Sequence, residues 1–184
     1  MTKAGTHRRK IVTPRPGGLL WGCGGESAAD RAVAMGGDGP KPADGVMRGR
    51  THLFPLRVYF EDTDVAGIVY YANYLRFIER ARSDMLRIIG VDQRGALEGG
   101  EGVYAVAELS VKYRAPARLA DELVVATEIE AIRAASVLIH QRVMRGDELL
   151  AVARVTAAFL TLDGRPRRQP PVWIEAFQRL LGEG

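Results

Sequence analysis

The 184-residue sequence is poor in the groups that hold metals and disulfides. One cysteine, Cys23, excludes an internal disulfide framework and a Cys-rich zinc site. The histidines His7, His52 and His140 lie far apart, and none has a partner at metal-ligand spacing. No apolar run reaches the roughly 18–20 residues of a membrane span. A Gly-x-Ser-x-Gly elbow is missing, which argues against a serine hydrolase of that type. Phosphate-loop and dinucleotide fingerprints are missing too.

An excess of one charge is confined to one end. Residues 1–50 carry nine Lys/Arg against four Asp/Glu, and residues 51–184 carry seventeen against eighteen. The basicity therefore belongs to the first fifty residues. A balanced remainder argues against nucleic acid as a partner, because that function needs a basic face on the folded domain. The same first fifty residues hold eleven of 21 glycines and four of nine prolines, with no apolar period. They read as a disordered or loosely attached tail, residues 1–50. Arg8, Arg9 and Lys10 precede only a short apolar patch, Leu19-Leu20-Trp21, too short for an export signal. Met47 is a possible start for the domain. With one cysteine and no export signal, the expected location is cytoplasmic.

The remainder, residues 51–184, reads as one domain. Phe54 to Glu61 alternates as a strand, with Pro55 marking an edge. Residues 72–89 switch to helical period: Leu75, Ile78, Met85, Leu86 and Ile89 fall on one side, Arg76, Arg80, Ser83 and Arg87 on the other. Strand-like segments follow at 103–114, 121–133, 136–145 and 149–162. A Gly146-Asp147 hairpin signal joins the last two. Pro170-Pro171 precedes a short amphipathic helix, 172–181. The expected class is α+β, with an antiparallel sheet curled around one long helix. The sheet's edges would then need a partner subunit.

Chemistry concentrates between the first strand and the long helix. The run is Asp62-Thr63-Asp64-Val65-Ala66-Gly67-Ile68-Val69-Tyr70-Tyr71-Ala72-Asn73-Tyr74. It places carboxylates just upstream of a helix amino end, whose free N–H groups favour a developing oxyanion. A carboxylate there can attack a carbonyl or activate water. Asp62 reads as a turn former. Gly67 reads as a positive-φ position or a place of close backbone approach to substrate. Asn73 reads as a helix cap before a direct ligand. Glu79 is a surface pair for Arg82 or Arg76, or a site residue. Tyr70 and Tyr71 pack, or line an acyl pocket.

This run, with Glu79-Arg80-Ala81-Arg82 beyond it and Tyr113-Arg114-Ala115-Pro116-Ala117 and Asp121 downstream, resembles the 4-hydroxybenzoyl-CoA thioesterase family. The branch it is most similar to is the one named after the thioesterase associated with the Tol-Pal envelope system. The resemblance covers about residues 54–180. It implies the hotdog fold and hydrolysis of acyl-CoA without a metal or other cofactor. It implies a homodimer or homotetramer. Asp64 falls on the family's catalytic carboxylate, and the Tyr71 backbone N–H on its oxyanion donor. Many members of the branch have His where this chain has Tyr71. Gly67, Tyr70, Asn73 and Glu79 fall on site positions. Arg133 falls on a corner where the aryl-CoA enzymes place arginines for the nucleotide. Lys112, Arg114, Arg118, Arg165, Arg167 and Arg168 are further cation candidates. Acyl carrier protein and lipid-synthesis enzymes are candidate partners. A binding module that holds acyl-CoA without turnover is the competing expectation. A hotdog dehydratase needs a histidine near the long helix, and none occurs between 53 and 139.

Overall fold

The structure, a computed structural model, describes residues 44–181. Cys23, the Arg8–Lys10 run and the rest of the tail through residue 43 lie outside the described residues. Six strands form one antiparallel sheet: β1 (Val46–Arg48), β2 (Thr51–Arg57), β3 (Val103–Tyr113), β4 (Glu122–Ile132), β5 (Ser136–Arg145) and β6 (Glu148–Leu160). Their order is β1-β2-β4-β5-β6-β3. The helices are α1 (Asn73–Ile88), α2 (Gln93–Glu98) and α3 (Pro171–Leu181).

The long helix forms where the period predicts. Tyr74, Phe77, Ile78, Ala81, Met85 and Leu86 are its buried stripe. They meet Leu123, Val125, Ile139, Val143 and Val155 from the sheet. Alternation along β5 sends Val137, Ile139, Gln141 and Val143 to this core. One polar link crosses it. The buried Gln141 Nε2 donates to Ile78 O at 2.8 Å and to Thr127 Oγ1 at 3.0 Å. Arg82 Nη1 donates to Gln141 Oε1 at 3.2 Å. Burial lowers the Arg82 guanidinium below its ordinary range, and the Glu79 charge partly offsets that.

Three expectations need correction. Residues 46–48, assigned above to the tail, are β1. It pairs with β2 through Val46↔Leu53 and Arg48↔Thr51. The reason is a two-residue hairpin turn at Gly49-Arg50, a signal hidden among the neighbouring glycines. The Gly45 N–H also donates to Asp84 Oδ2 at 2.8 Å, tying this segment to α1. The second correction is the first predicted strand, which ends at Arg57 rather than Glu61. Residues 60–62 form a single 3₁₀ turn because Asp62 Oδ2 accepts the Tyr59 N–H at 2.9 Å. Pro55 does sit at an edge, since β1 stops opposite Leu53. The third is α2, which goes unread because six residues are too short for a periodic signal.

The edge strand β3 pairs only with β6. Val106, Leu109 and Tyr113 are exposed along it.

Candidate active site

The acidic loop is closed by its own backbone. Asp64 N–H donates to Ile68 O at 2.9 Å, Gly67 N–H to Asp64 O at 3.0 Å, and Tyr70 N–H to Asp62 O at 2.9 Å. Gly67 carries the reversal with φ +72°, a conformation glycine adopts without strain. A Cβ there would meet nothing, so conformation rather than crowding accounts for the glycine. The far side of the loop is pinned by Val69 N–H to Ala117 O at 2.9 Å.

The two aspartates are used differently. Asp62 is buried and caps the 3₁₀ turn, the turn role expected for it. Asp64 is half-buried. Its Oδ1 accepts the Ala66 N–H at 2.8 Å. Its Oδ2 has no hydrogen-bond partner among the described residues, so one carboxylate oxygen is held in orientation and the other is free to act.

The start of α1 supplies the complementary donor. Tyr70 O accepts the Asn73 N–H at 2.8 Å. That bond fixes the peptide plane shared by Tyr70 O and Tyr71 N–H. It also polarises the N–H, since hydrogen bonds in series reinforce one another. Among the described residues nothing accepts from the Tyr71 N–H. Asn73 does not cap the helix. The N-cap position is Ala72, without a side-chain bond. Instead Asn73 Nδ2 donates to Asp62 O at 3.0 Å. One carbonyl thus receives both Tyr70 and Asn73, and the acidic loop is locked to the helix start.

Beside this clamp lies a cavity of about 260 Å³ lined by Ile68, Val69, Tyr71, Tyr74, Tyr113 and Arg114, among others. Asp64 is not among its walls. The Tyr71 and Tyr113 rings meet edge to face at 6.5 Å, and Tyr74 and Tyr113 at 5.4 Å. The Tyr74 hydroxyl accepts the Ala117 N–H at 2.9 Å. Burial raises the Tyr74 and Tyr113 phenols above their ordinary range, so both are neutral donors at physiological pH. Tyr70 is exposed, and the neighbouring Tyr71 phenol, its ring 4.7 Å away, is the chief cause that raises the Tyr70 phenol above its ordinary range. Below the loop, Asp121 Oδ2 accepts from Arg118 N–H at 2.8 Å and from Arg145 Nη1 at 2.6 Å. Burial favours the neutral acid there. The Arg118 N–H and the Arg145 guanidinium outweigh it and hold the carboxyl below the ordinary range.

The sequence candidates divide by position. Asp64, Gly67, Tyr70, Tyr71 and Asn73 form one unit. Glu79 lies on α1 six residues beyond Asn73, about 9 Å along the axis. It accepts from Ser83 Oγ at 2.7 Å rather than pairing with Arg76 or Arg82. Arg133 lies apart from this unit. Asp121, at the head of β4, bonds to Val58 beside the acidic loop, whereas Arg133 follows the strand's other end. Eleven extended residues separate them by roughly 35 Å, so Arg133 does not join this site within one subunit. Strand length decided that, and a corner motif carries no distance. Arg114 is the arginine lining the cavity, and it forms no ion pair among the described residues. Tyr113, at the end of β3, reaches the start of α1, where its hydroxyl donates to the Tyr71 carbonyl oxygen at 3.0 Å, a contact that an aromatic at a strand end does not announce in the sequence. Its polar tip at a strand terminus was the available signal.

No group of three or more metal-ligating side chains exists among the described residues. A curled antiparallel sheet around one helix, with a carboxylate loop at that helix's amino end, defines a hotdog protein of thioesterase type. Comparison with known proteins agrees. The thioesterase-like superfamily matches residues 58–181, and the chain belongs to it. The chain is 40% identical over 133 residues to the acyl-CoA thioester hydrolase YbgC of Escherichia coli O6:H1, covering 70% of this chain and 98% of that protein. It is 42% identical over 109 residues to the acyl-CoA thioesterase YbgC of Haemophilus influenzae, covering 59% and 80%. Among solved structures it is similar to a 4-hydroxybenzoyl CoA thioesterase mutant complexed with 4-hydroxybenzoyl CoA. That match has a TM-score of 0.65 and 26% identity, over 70% of this chain and 99% of that one.

Proposed function

We propose that this protein hydrolyses the thioester of acyl-CoA to a free acid and CoA, with Asp64 as the acting carboxylate and the Tyr71 N–H as the oxyanion donor. The observation that carries this reading is the paired arrangement in one loop: a carboxylate oxygen and a polarised N–H that, among the described residues, have no hydrogen-bond partner. The thioester carbonyl oxygen sits on the N–H, and the carbonyl carbon faces Asp64. Asp64 then acts in one of two ways. It takes a proton from water as the water oxygen bonds to carbon, or it bonds to carbon itself and the mixed anhydride is hydrolysed afterwards. In both, negative charge gathers on the carbonyl oxygen and is stabilised by the N–H, worth about 3–4 kcal/mol in an enclosed site. The C–S bond breaks as the carbonyl re-forms. CoA leaves as a thiolate, stable enough to need no strong acid, which suits a loop without histidine.

Arg114, on the cavity wall, is the cation assigned to the phosphates of CoA. Arg133 contacts CoA only from another subunit. The exposed β3 edge, with Val106 and Leu109, suits pairing with a second copy into a homodimer, which can pair again. The reaction is assigned to the cytoplasm, where CoA thioesters are made, and acyl carrier protein is the candidate alternative carrier of the acyl group.

The test is release of free thiol from a panel of acyl-CoAs by the purified protein, compared with Asp64→Asn. Binding of acyl-CoA without thiol release would support a sensor instead.

A further inference from the structure

The wall of the cavity beside Tyr71 is braced from behind by one side chain. Pro116 lines that cavity together with Arg114 and Ala115. Its carbonyl oxygen accepts a long contact from Arg145 Nη1 at 3.4 Å, and the same nitrogen donates to Asp121 Oδ2 at 2.6 Å. Arg145 Nε and Nη2 donate to Glu148 Oε2 at 3.2 Å and 2.6 Å, which fixes the guanidinium at the end of the β5–β6 hairpin. Arg145 is half-buried and does not itself line the cavity.

The turn 116–121 that Arg145 grips carries both halves of the proposed site. Ala117 O accepts the Val69 N–H at 2.9 Å, and Arg118 forms a β-bridge with Ile68, so the turn holds the end of the acidic loop. Ala117 N–H donates to the Tyr74 hydroxyl at 2.9 Å, so the turn also holds the beginning of α1. Asp121 closes it, accepting the Arg118 N–H at 2.8 Å through the same oxygen that Arg145 engages.

This turn is strained. Ala120 has φ +67°, and it is the only non-glycine residue with a positive φ among the described residues. An L side chain there crowds its own backbone, so the conformation persists only where the surroundings enforce it. Two backbone bonds do part of this: Ala120 N–H to Val58 O at 3.0 Å, and Val58 N–H to Asp121 O at 2.9 Å. The Arg145–Asp121 ion pair is the side-chain restraint on the same turn.

We propose that Arg145 is a positioning residue for the reaction: by gripping Asp121 and Pro116 it keeps the strained turn closed, and the turn sets the acidic loop against the start of α1. This rests on the thioesterase reading above. Arg145 touches no reacting atom. Without it Ala120 relaxes toward negative φ, the turn opens, and Ile68 and Tyr74 lose their common support. The Asp64 carboxylate and the Tyr71 N–H then lose register, although each keeps its own local bonds.

The experiment measures thiol release and thermal melting on the purified full chain, with assays run well below the melting temperature. Arg145→Met keeps much of the apolar stem and removes the guanidinium. Its kcat falls about tenfold with KM within about twofold, a part of the roughly 10²-fold that about 1 Å of misplacement costs. Arg145→Lys keeps the charge and loses less. Adding Ala120→Gly to Arg145→Met recovers most of the lost kcat, because glycine holds φ +67° without strain and the turn no longer needs the grip. Asp121→Asn keeps an acceptor for the Arg118 N–H and removes the partner charge, and it lowers kcat in the same way if Arg145→Met does not fold. Wild-type kcat in the folded variant, a change confined to KM, or a double variant that recovers melting temperature but not kcat overturns the proposal. A wild-type protein that releases no thiol from any acyl-CoA overturns the thioesterase reading, and the proposal with it.

Discussion

The Tyr113 hydroxyl donates to the Tyr71 carbonyl oxygen at 3.0 Å, so the end of β3 holds the backbone at the start of α1. The Tyr71 N–H is one peptide away, fixed from the other side by the bond between Asn73 N–H and Tyr70 O. Tyr113→Phe keeps the ring contacts and removes only this restraint. We expect kcat to fall several-fold with KM little changed, because a donor that acts on the transition state loses aim rather than ground-state contact. A KM effect alone would show that Tyr113 only lines the cavity.

Asp64→Asn retains an oxygen for the Ala66 N–H, so the loop is expected to fold and to melt close to wild type. Turnover should drop about 10²-fold or more, the scale of a lost general base or nucleophile. Thiol release together with circular dichroism melting checks both halves.

Asn73→Ala removes the side-chain donor to Asp62 O. The expected cost is about 1 kcal/mol of stability, the net worth of one such hydrogen bond, with a fall in kcat because the loop and helix are no longer locked. Asn73→Asp should be worse, since a carboxylate would face a carbonyl.

Arg114→Gln should raise KM for acyl-CoA several-fold at low salt and leave kcat nearly intact. The difference should shrink as salt is added, as expected for a partly exposed contact to phosphate. Arg133→Gln distinguishes a partner-subunit contact. It should act on KM only in the assembled oligomer, and a β3 variant such as Leu109→Lys should abolish that effect while shifting the mass measured by light scattering.

Acid sensitivity should trace to Asp84. Burial favours its neutral form. Its bonds to Arg87 at 2.7 Å, Gly45 N–H at 2.8 Å and His52 Nε2 at 2.9 Å outweigh that and lower its pKa. A lowered folded-state value means the contribution is present above the unfolded value of about 3.9. It is lost as pH falls through the folded one. Melting temperature against pH should therefore decline in acid, and Asp84→Asn should flatten that limb. Gly45→Ala tests the same contact sterically. Its Cβ would stand 2.2 Å from His52 Nε2, so it should destabilise the fold at every pH.

Periodicity determined α1 and the four long strands, because a buried stripe and a two-residue alternation are properties of neighbours in the chain. The acidic loop proposed as the reacting site was legible for the same reason: Asp64, Gly67 and Tyr71 lie within eight residues. Tertiary structure alone decided the rest. It showed that Asn73 reaches Asp62 instead of capping its own helix, and that Tyr113 grips Tyr71 across 42 positions. It separated Arg133 from Asp64 by a strand's length and put Arg114 beside the cavity instead. It brought Tyr104, Phe159 and Trp173 into one aromatic cluster. Such contacts depend on how the sheet curls, and no local pattern records which side chains that curvature brings within a few ångströms of each other.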